Sequence, residues 1–398
     1  MFDKKAYVLY NGCPESGIDS ARVQNFLREN GWNITNELKE ADLIVFRACG
    51  LTDESAEESL QVIRRVKAEK KGNAQFIVWG CLPKIDPEAL RKEYDGVTFG
   101  EKEAAILNKI LEAKMPIEEV VANHLMPKEK LFRPGLLGYL WKFMAFAGKR
   151  HSVAHSKSIF HIKASTGCLG NCSFCAVRKS RGVVRSKSLD DLLSEFRHGL
   201  DNGFRYFGLL ATDLGAYGRD RGCSLVDLLV EMTQEKGDYK IALRNVNPYY
   251  LNEMFEELRP IFSSGKIWFL SSAVESASDR ILKLMRRRYK IQDFKKSIRI
   301  LNKEYPNILL RTQLIVGFPT ETEEDFQMSL LLLDELKFDW IEVYKFSTRR
   351  GTSAATMTGQ VPEKTKAARF RQLSLKAITQ RPHRKVRQIL HSYMLNLI

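Results

Sequence analysis

The sequence predicts an α/β protein in which an N-terminal parallel-sheet α/β domain is followed by a partial (β/α)6 barrel. Three observations lead there. Short runs rich in β-branched and aromatic residues alternate with helical patterns along most of the chain, the signature of parallel strands joined by crossover helices. At 398 residues with 44% hydrophobic content, the chain exceeds one ordinary domain and can fill sizeable cores. The alternation is interrupted once, between Met126 and about Lys157, by a segment rich in Pro, Lys and large apolar residues that reads as a linker.

Before the linker, residues 1–125 predict strands near 6–11, 42–47 and 75–79 and helices near 18–30, 53–70 and 86–94. After it, residues 158–362 predict a second series. Its strands are Phe160–Lys163, Tyr206–Leu210, Lys240–Leu243, Ile267–Leu270, Ile308–Leu310 and Ile341–Tyr344, separated by helices at Leu189–Asn202, Leu225–Lys236, Tyr249–Leu258, Ile291–Tyr305 and Glu323–Leu336. Six such units make a barrel open along one side, with its site at the strand C-termini, as in complete barrels. Residues 363–398 predict a basic helical tail.

Cysteines mark both domains. Cys168, Cys172 and Cys175 form a CxxxCxxC loop after the first barrel strand. Three thiolates offered to a cubane iron–sulfur cluster leave one iron open for a small molecule. Cys13, Cys49 and Cys81 each follow an apolar run, at separations of 36 and 32 residues that suit one strand–helix unit each. Strand C-termini of a parallel sheet lie on one edge, so these thiols converge there. Two plainer readings stand beside this one: buried cysteines as small core residues, and the loop as part of a zinc site. Cys223 fits neither triplet and reads as an ordinary thiol.

The ordered motifs resemble those of the radical S-adenosylmethionine (SAM) methylthiotransferases, from about residue 5 to about residue 370. Asn11-Gly-Cys13 with Asp19-Ser20, Ala48-Cys49-Gly50 with Asp53 and Glu57-Glu58-Ser59, and Gly80-Cys81-Leu82 are similar to the family's three N-terminal cysteine blocks. The loop at 168–175, then Arg181-Gly182, Arg185-Ser186, Asp213 with Ala216-Tyr217-Gly218, Ile315–Pro319 and Arg350-Gly-Thr352 continue the correspondence. Glu275-Ser-Ala-Ser278 and Thr312-Gln313 depart from it, and Leu243–Pro248 resembles the branch acting on threonylcarbamoyl adenosine.

The resemblance implies two [4Fe-4S] clusters, one on each triplet, with SAM chelated at the barrel cluster and cleaved by one electron from an external donor to methionine and a 5′-deoxyadenosyl radical. The N-terminal cluster then presents sulfur, and a second SAM the methyl group. Phe174 is expected near the adenine, with Thr212, Asp213, Arg244, Asn245, Glu275, Ser276 and Arg311 at strand ends as SAM contacts. The implied substrates are a transfer RNA adenosine derivative or, alternatively, a protein, peptide or natural-product precursor. A non-enzymatic electron carrier or nucleic-acid-binding metal protein is the third reading.

A net charge of +15 favours contact with polyanions. Arg286–Arg288 and Arg381, Arg384, Lys385 and Arg387 read as basic surface. The pattern after Pro362 predicts helix, not the small β-barrel (TRAM module) usual in family members acting on transfer RNA. No apolar stretch is long enough to span a bilayer; Leu136–Gly148 is too short and carries Lys142. The N-terminus lacks a secretion signal's apolar core. Thiolate-held clusters demand a reducing compartment, so a cytoplasmic location is expected. His151, His155 and His161 lack metal-ligand spacing, Gly317–Pro319 reads as a rim turn, and Arg349-Arg350 as either a contact for an anionic substrate or solvent-facing charge.

Overall fold

The computed structural model describes residues 4–127 and 159–379, so Leu136–Gly148, His151, His155 and the basic cluster at 381–387 lie outside the described residues. The described chain divides into two units. One joins residues 4–127 with Cys175–Val183 and Arg349–Gly351; the other joins 159–174, Val184–Thr348 and 352–379.

The first unit is a five-stranded parallel sheet formed by β1 (Lys5–Tyr10), β2 (Asn33–Ile34), β3 (Leu43–Ala48), β4 (Gln75–Gly80) and β5 (Val97–Gly100), in the order β2-β1-β3-β4-β5. Alternate residues of β1 serve opposite faces. Ala6, Val8 and Tyr10 pack with Phe26 and Leu27 of helix Pro14–Glu29, whereas Tyr7 and Leu9 pack with Leu60, Ile63 and Val66 of helix Asp53–Glu69. A sheet covered on both faces needs strands apolar at every position, hence their continuous hydrophobic runs. Helix Pro14–Glu29 starts earlier than the periodicity predicts because Pro14 occupies its first turn, where a missing N–H costs nothing. β2 and β5, which the sequence reading missed, are short edge strands that carry too few residues for a period to register.

The second unit carries six parallel strands, β6 (Ile159–Lys163), β9 (Tyr206–Leu210), β10 (Lys240–Leu243), β11 (Ile267–Ser271), β12 (Leu309–Val316) and β13 (Trp340–Lys345), paired in sequence order. Two short strands, β7 (Ser165–Thr166) and β8 (Arg185–Ser186), form a separate antiparallel ribbon. Among the described residues β6 and β13 do not pair, so the barrel stays open. Its outer apolar layer includes Phe196, Phe207, Leu229, Phe294 and Leu333, and the last described helix, Glu363–Thr379, adds Leu373 and Ala377. Ser188, Ser224 and Thr322 cap three of the surrounding helices through side-chain oxygens.

On the inner face, Ile159, Ala242, Trp268 and Phe269 of β6, β10 and β11 form an apolar floor. The walls above it are polar. β12 alternates half-buried Arg311, Gln313 and Ile315 with buried Leu310, Thr312, Leu314 and Val316, and its polar inner positions explain why the sequence reading recognised only its first residues. The helix expected over 249–258 is interrupted at Met254, giving Pro248–Glu253 and Phe255–Ser263. Among the described residues no helix is long and apolar enough to cross a membrane.

Candidate iron–sulfur and SAM sites

The strand order 2-1-3-4-5 reverses direction between β1 and β3, and open α/β sheets bind ligands outside the strand C-termini at such a switch point. Cys13 and Cys49 follow those two strands; Cys81 follows β4 next door. Glycines permit the approach. Gly12 has φ +108°, and a Cβ there would stand 2.9 Å from the Cβ of Cys49 and 3.1 Å from its sulfur. Gly80, before Cys81, has φ +109°, with the Ala48 carbonyl 2.9 Å from where its Cβ would lie. Fully buried Asn11 fixes the Cys49 loop by accepting its backbone N–H at 2.8 Å and by bonding Ser59.

Burial pushes the Cys49 thiol up, and Cys13 adds to it. Burial lifts Cys81 to about 12, with Glu101 and Cys49 also raising it. Buried cations answer this charge. Arg47, fully buried, pairs with Asp19 at 3.1 Å, with Glu101 and with Ser16, and lies over the Trp79 ring. Arg181, also buried, pairs with Glu15 and donates to the Cys13 sulfur at 3.5 Å.

In the second unit Cys168 and Cys172 flank Gly170, whose Cβ would lie 3.2 and 3.8 Å from their sulfurs. The Gly170 N–H donates to the Cys168 sulfur at 3.1 Å, and Arg287 donates to that of Cys172 at 3.6 Å. Burial pushes Cys168 up to about 11, with Asp213 and Cys172 contributing and the Gly170 amide and Arg287 opposing. Cys175 belongs to the first unit, ahead of helix Val177–Arg181; its neighbour Ala176 packs on Cys81 and Ile85.

The predicted SAM contacts fall into groups. Asp213, raised to about 6 by burial against the pull of Arg287 and Asn247, lies 3.9 Å from the Cys168 sulfur and within 3.5 Å of the Asn247 amide. Asn245, at φ +61°, donates to the Ala211 carbonyl at 3.0 Å, beside Thr212. Glu275, at φ +64°, bridges to β12 by accepting the Ile315 N–H at 2.8 Å, and its carboxylate lies 3.5 Å from Arg287. A non-glycine residue held in the left-handed region marks a position where the surroundings override local preference. Arg244 and Arg311 both bear on Glu342, and Arg311 donates to it at 2.5 Å. The Ser276 hydroxyl serves its own loop, accepting the Ser278 N–H at 3.2 Å. Phe174 packs among Ile281, Phe318 and Phe346.

Some residues escaped the sequence reading. Arg287 is buried at the Cys172 sulfur and does not belong to a basic surface run. Arg349 is likewise buried, paired with Asp53 at 2.9 Å, while Arg350 is exposed and pairs with Glu88. Glu342 collects Arg311, Gln313 and Tyr344 on one carboxylate. Its signal was the polar–apolar alternation of β12 and β13, which marks a wet inner face.

All seven cysteines are free thiols. Among the described residues no three His, Cys, Asp or Glu side chains gather as ligands of a single ion would; the ligands of a cubane sit on separate irons. The donor set suits such clusters. Soft thiols stand at buried (Cys49, Cys81) and half-buried addresses, and N–H donors face the Cys13, Cys168 and Cys172 sulfurs, the arrangement that steadies thiolate-held iron.

Residues 5–100 match the family described as Uncharacterized protein family UPF0004, and residues 162–333 match the Radical SAM superfamily. The chain is 30% identical over 376 residues to the ribosomal protein uS12 methylthiotransferase RimO of Thermodesulfovibrio yellowstonii, covering 93% of this chain and 81% of that one. It is 30% identical over 366 residues to a probable threonylcarbamoyladenosine tRNA methylthiotransferase of Methanocaldococcus jannaschii, covering 90% and 79%. In fold it is similar to the radical SAM methyltransferase TsrM of Kitasatospora setae, with a TM-score of 0.60 and 12% identity over 88% of this chain and 75% of that one. SAM and [4Fe-4S] clusters are this family's cofactors. The chain belongs to the radical SAM methylthiotransferase family.

Proposed function

We propose that this enzyme inserts sulfur and a methyl group into an unactivated C–H bond of a transfer RNA adenosine derivative in the cytoplasm, drawing electrons from an external donor. In this reading residues 1–125 hold one cluster through Cys13, Cys49 and Cys81, and the barrel, 158–362, holds the other through Cys168, Cys172 and Cys175. The observation that carries it is the buried arginine at a cysteine sulfur in each triplet, Arg181 at Cys13 and Arg287 at Cys172. When bound, the barrel cluster supplies the electron that cleaves SAM, and the N-terminal cluster supplies the sulfur.

The chain's own residues bind, orient and exclude water. Arg287, held by Glu275 and the Ala273 carbonyl at 2.7 Å, presents fixed positive charge to the Cys172 sulfur at no cost of reorganisation. Asp213, Asn245 and Thr212 beyond the ends of β9 and β10, Glu275 and Ser276 beyond the end of β11, and Arg311, which lies within β12 and not at its end but level with Ser271, provide polar groups for the amino acid and ribose portions of SAM. Arg244 steadies Glu342 beneath them, and Phe174 offers an aromatic face to the adenine. The apolar floor of Ile159, Ala242, Trp268 and Phe269 closes the barrel interior below, so a reactive species formed above meets no water from that side.

Transfer RNA is favoured by the relative named for threonylcarbamoyladenosine tRNA and by the net charge of +15. A second reading, methylthiolation of a protein, is favoured by the equally identical relative named for ribosomal protein uS12. The deciding experiment is anaerobic reconstitution, then reduction with SAM in the presence of bulk transfer RNA or of ribosomal proteins. Mass spectrometry follows. A gain of sulfur plus methyl on an adenosine derivative is expected; the same gain on protein alone overturns the RNA reading.

A further inference from the structure

Helix Val177–Arg181 begins directly after the Cys175 segment, and both its ends meet the N-terminal triplet. Ala176 packs on Cys81 at one end, and Arg181 donates to the Cys13 sulfur at 3.5 Å from the other. Arg181 is buried with its side chain 6% exposed, and its carboxylate partner Glu15 is equally buried. Two cations lie buried at this triplet's edge in different circumstances. Arg47 is compensated by two carboxylates, Asp19 and Glu101, and also bonds Ser16. Arg181 has Glu15 and turns a further N–H toward sulfur.

Hydrogen bonds to cluster sulfurs and nearby charge set reduction potential, because reduction adds one negative charge that a donor aimed at sulfur stabilises. A guanidinium in a water-poor site acts with little screening. We infer that Arg181 is a positioning residue that raises the reduction potential of the cluster on Cys13, Cys49 and Cys81, so that the segment carrying Cys175 also governs how readily the N-terminal cluster accepts an electron. The inference rests on the proposed ligation by those three cysteines.

The test uses the full chain with Cys168→Ala, Cys172→Ala and Cys175→Ala, leaving the N-terminal cluster alone. Its midpoint potential is read by spectroscopic titration, dithionite supplying the one electron. Arg181→Met is expected to lower the midpoint, Glu15→Gln to raise it by removing the carboxylate that pairs with the guanidinium, and Arg181→Lys to stay nearer the parent. Opposite signs are the diagnostic, since mere loosening of the site would not shift the two variants in opposite directions. Unshifted midpoints in both, or shifts of the same sign, overturn the inference. Should Arg181→Met lose its iron, Glu15→Gln decides: a midpoint unchanged or lowered overturns the inference, and a raised one supports it. If the triple-alanine parent binds no iron at all, the cysteine assignment itself has failed, an outcome distinct from failure of the Arg181 role.

Discussion

The guanidinium of Arg287 stands 3.6 Å from the sulfur of Cys172, 115 residues away in sequence. Glu275 at 3.5 Å and the Ala273 carbonyl at 2.7 Å hold it there, in a site that excludes water from both charges. Burial nevertheless disfavours the Glu275 carboxylate, which is raised from its ordinary range, with Arg287 pulling the other way.

Removing one member of this pair should therefore cost more than removing both. Breaking a buried ion pair leaves an uncompensated charge and costs about 3–5 kcal/mol, whereas neutral replacement of both is far milder. Arg287→Met is expected to destabilise the apo chain by about that amount, and Arg287→Met with Glu275→Gln by less. Chemical denaturation of the three proteins checks the order.

The cysteine triplets should separate by activity. Cys172→Ala is expected to abolish 5′-deoxyadenosine formation, and Cys49→Ala to leave it at least partly intact while stopping sulfur transfer. Each variant should lose about four of roughly eight irons after reconstitution, the content of one cubane. Iron analysis and quantification of deoxyadenosine read both. Equal loss of both activities in correctly folded variants would count against separate roles.

Gly12 allows the Cys13 turn to pass Cys49. Gly12→Ala adds a Cβ 2.9 Å from the Cβ of Cys49 on a backbone at φ +108°, a region L-residues rarely enter. Expected is loss of about half the iron with SAM cleavage retained. Gly203→Ala, where nothing lies within 4 Å of the added Cβ, controls for backbone strain, since its φ of +82° is also positive. It should keep its full iron complement.

Asp325 pins the loop that carries Glu275 and Ser276. It accepts from Ser278 at 2.5 Å, pairs with Arg280 and caps the helix behind Thr322, and despite the opposing effect of burial these partners hold it down to about 2. A folded value below the unfolded one near 3.8 stabilises the protein above that pH and ceases to do so as pH falls toward 2. Asp325→Asn should lose about 2 kcal/mol near neutral pH, with the difference narrowing below pH ~4. Denaturation of apo protein at neutral and acid pH measures both.

The alternation of apolar runs and helical patterns determined the two parallel sheets, and the positions of Cys13, Cys49 and Cys81 just past apolar runs pointed to one edge of the first sheet. Strand periodicity suffices for that, because a parallel sheet brings every strand C-terminus to one edge. What the sequence did not reveal is which charged side chains turn inward. Arg287 sits in a run of three arginines that looks like solvated surface, Arg47 in a strand otherwise apolar, and Glu342 in a strand half of whose residues line a wet interior. Only the tertiary structure decided these, since burial of a charge depends on a partner distant in sequence that compensates its lost hydration: Glu275 for Arg287, Asp19 and Glu101 for Arg47, Arg311 for Glu342.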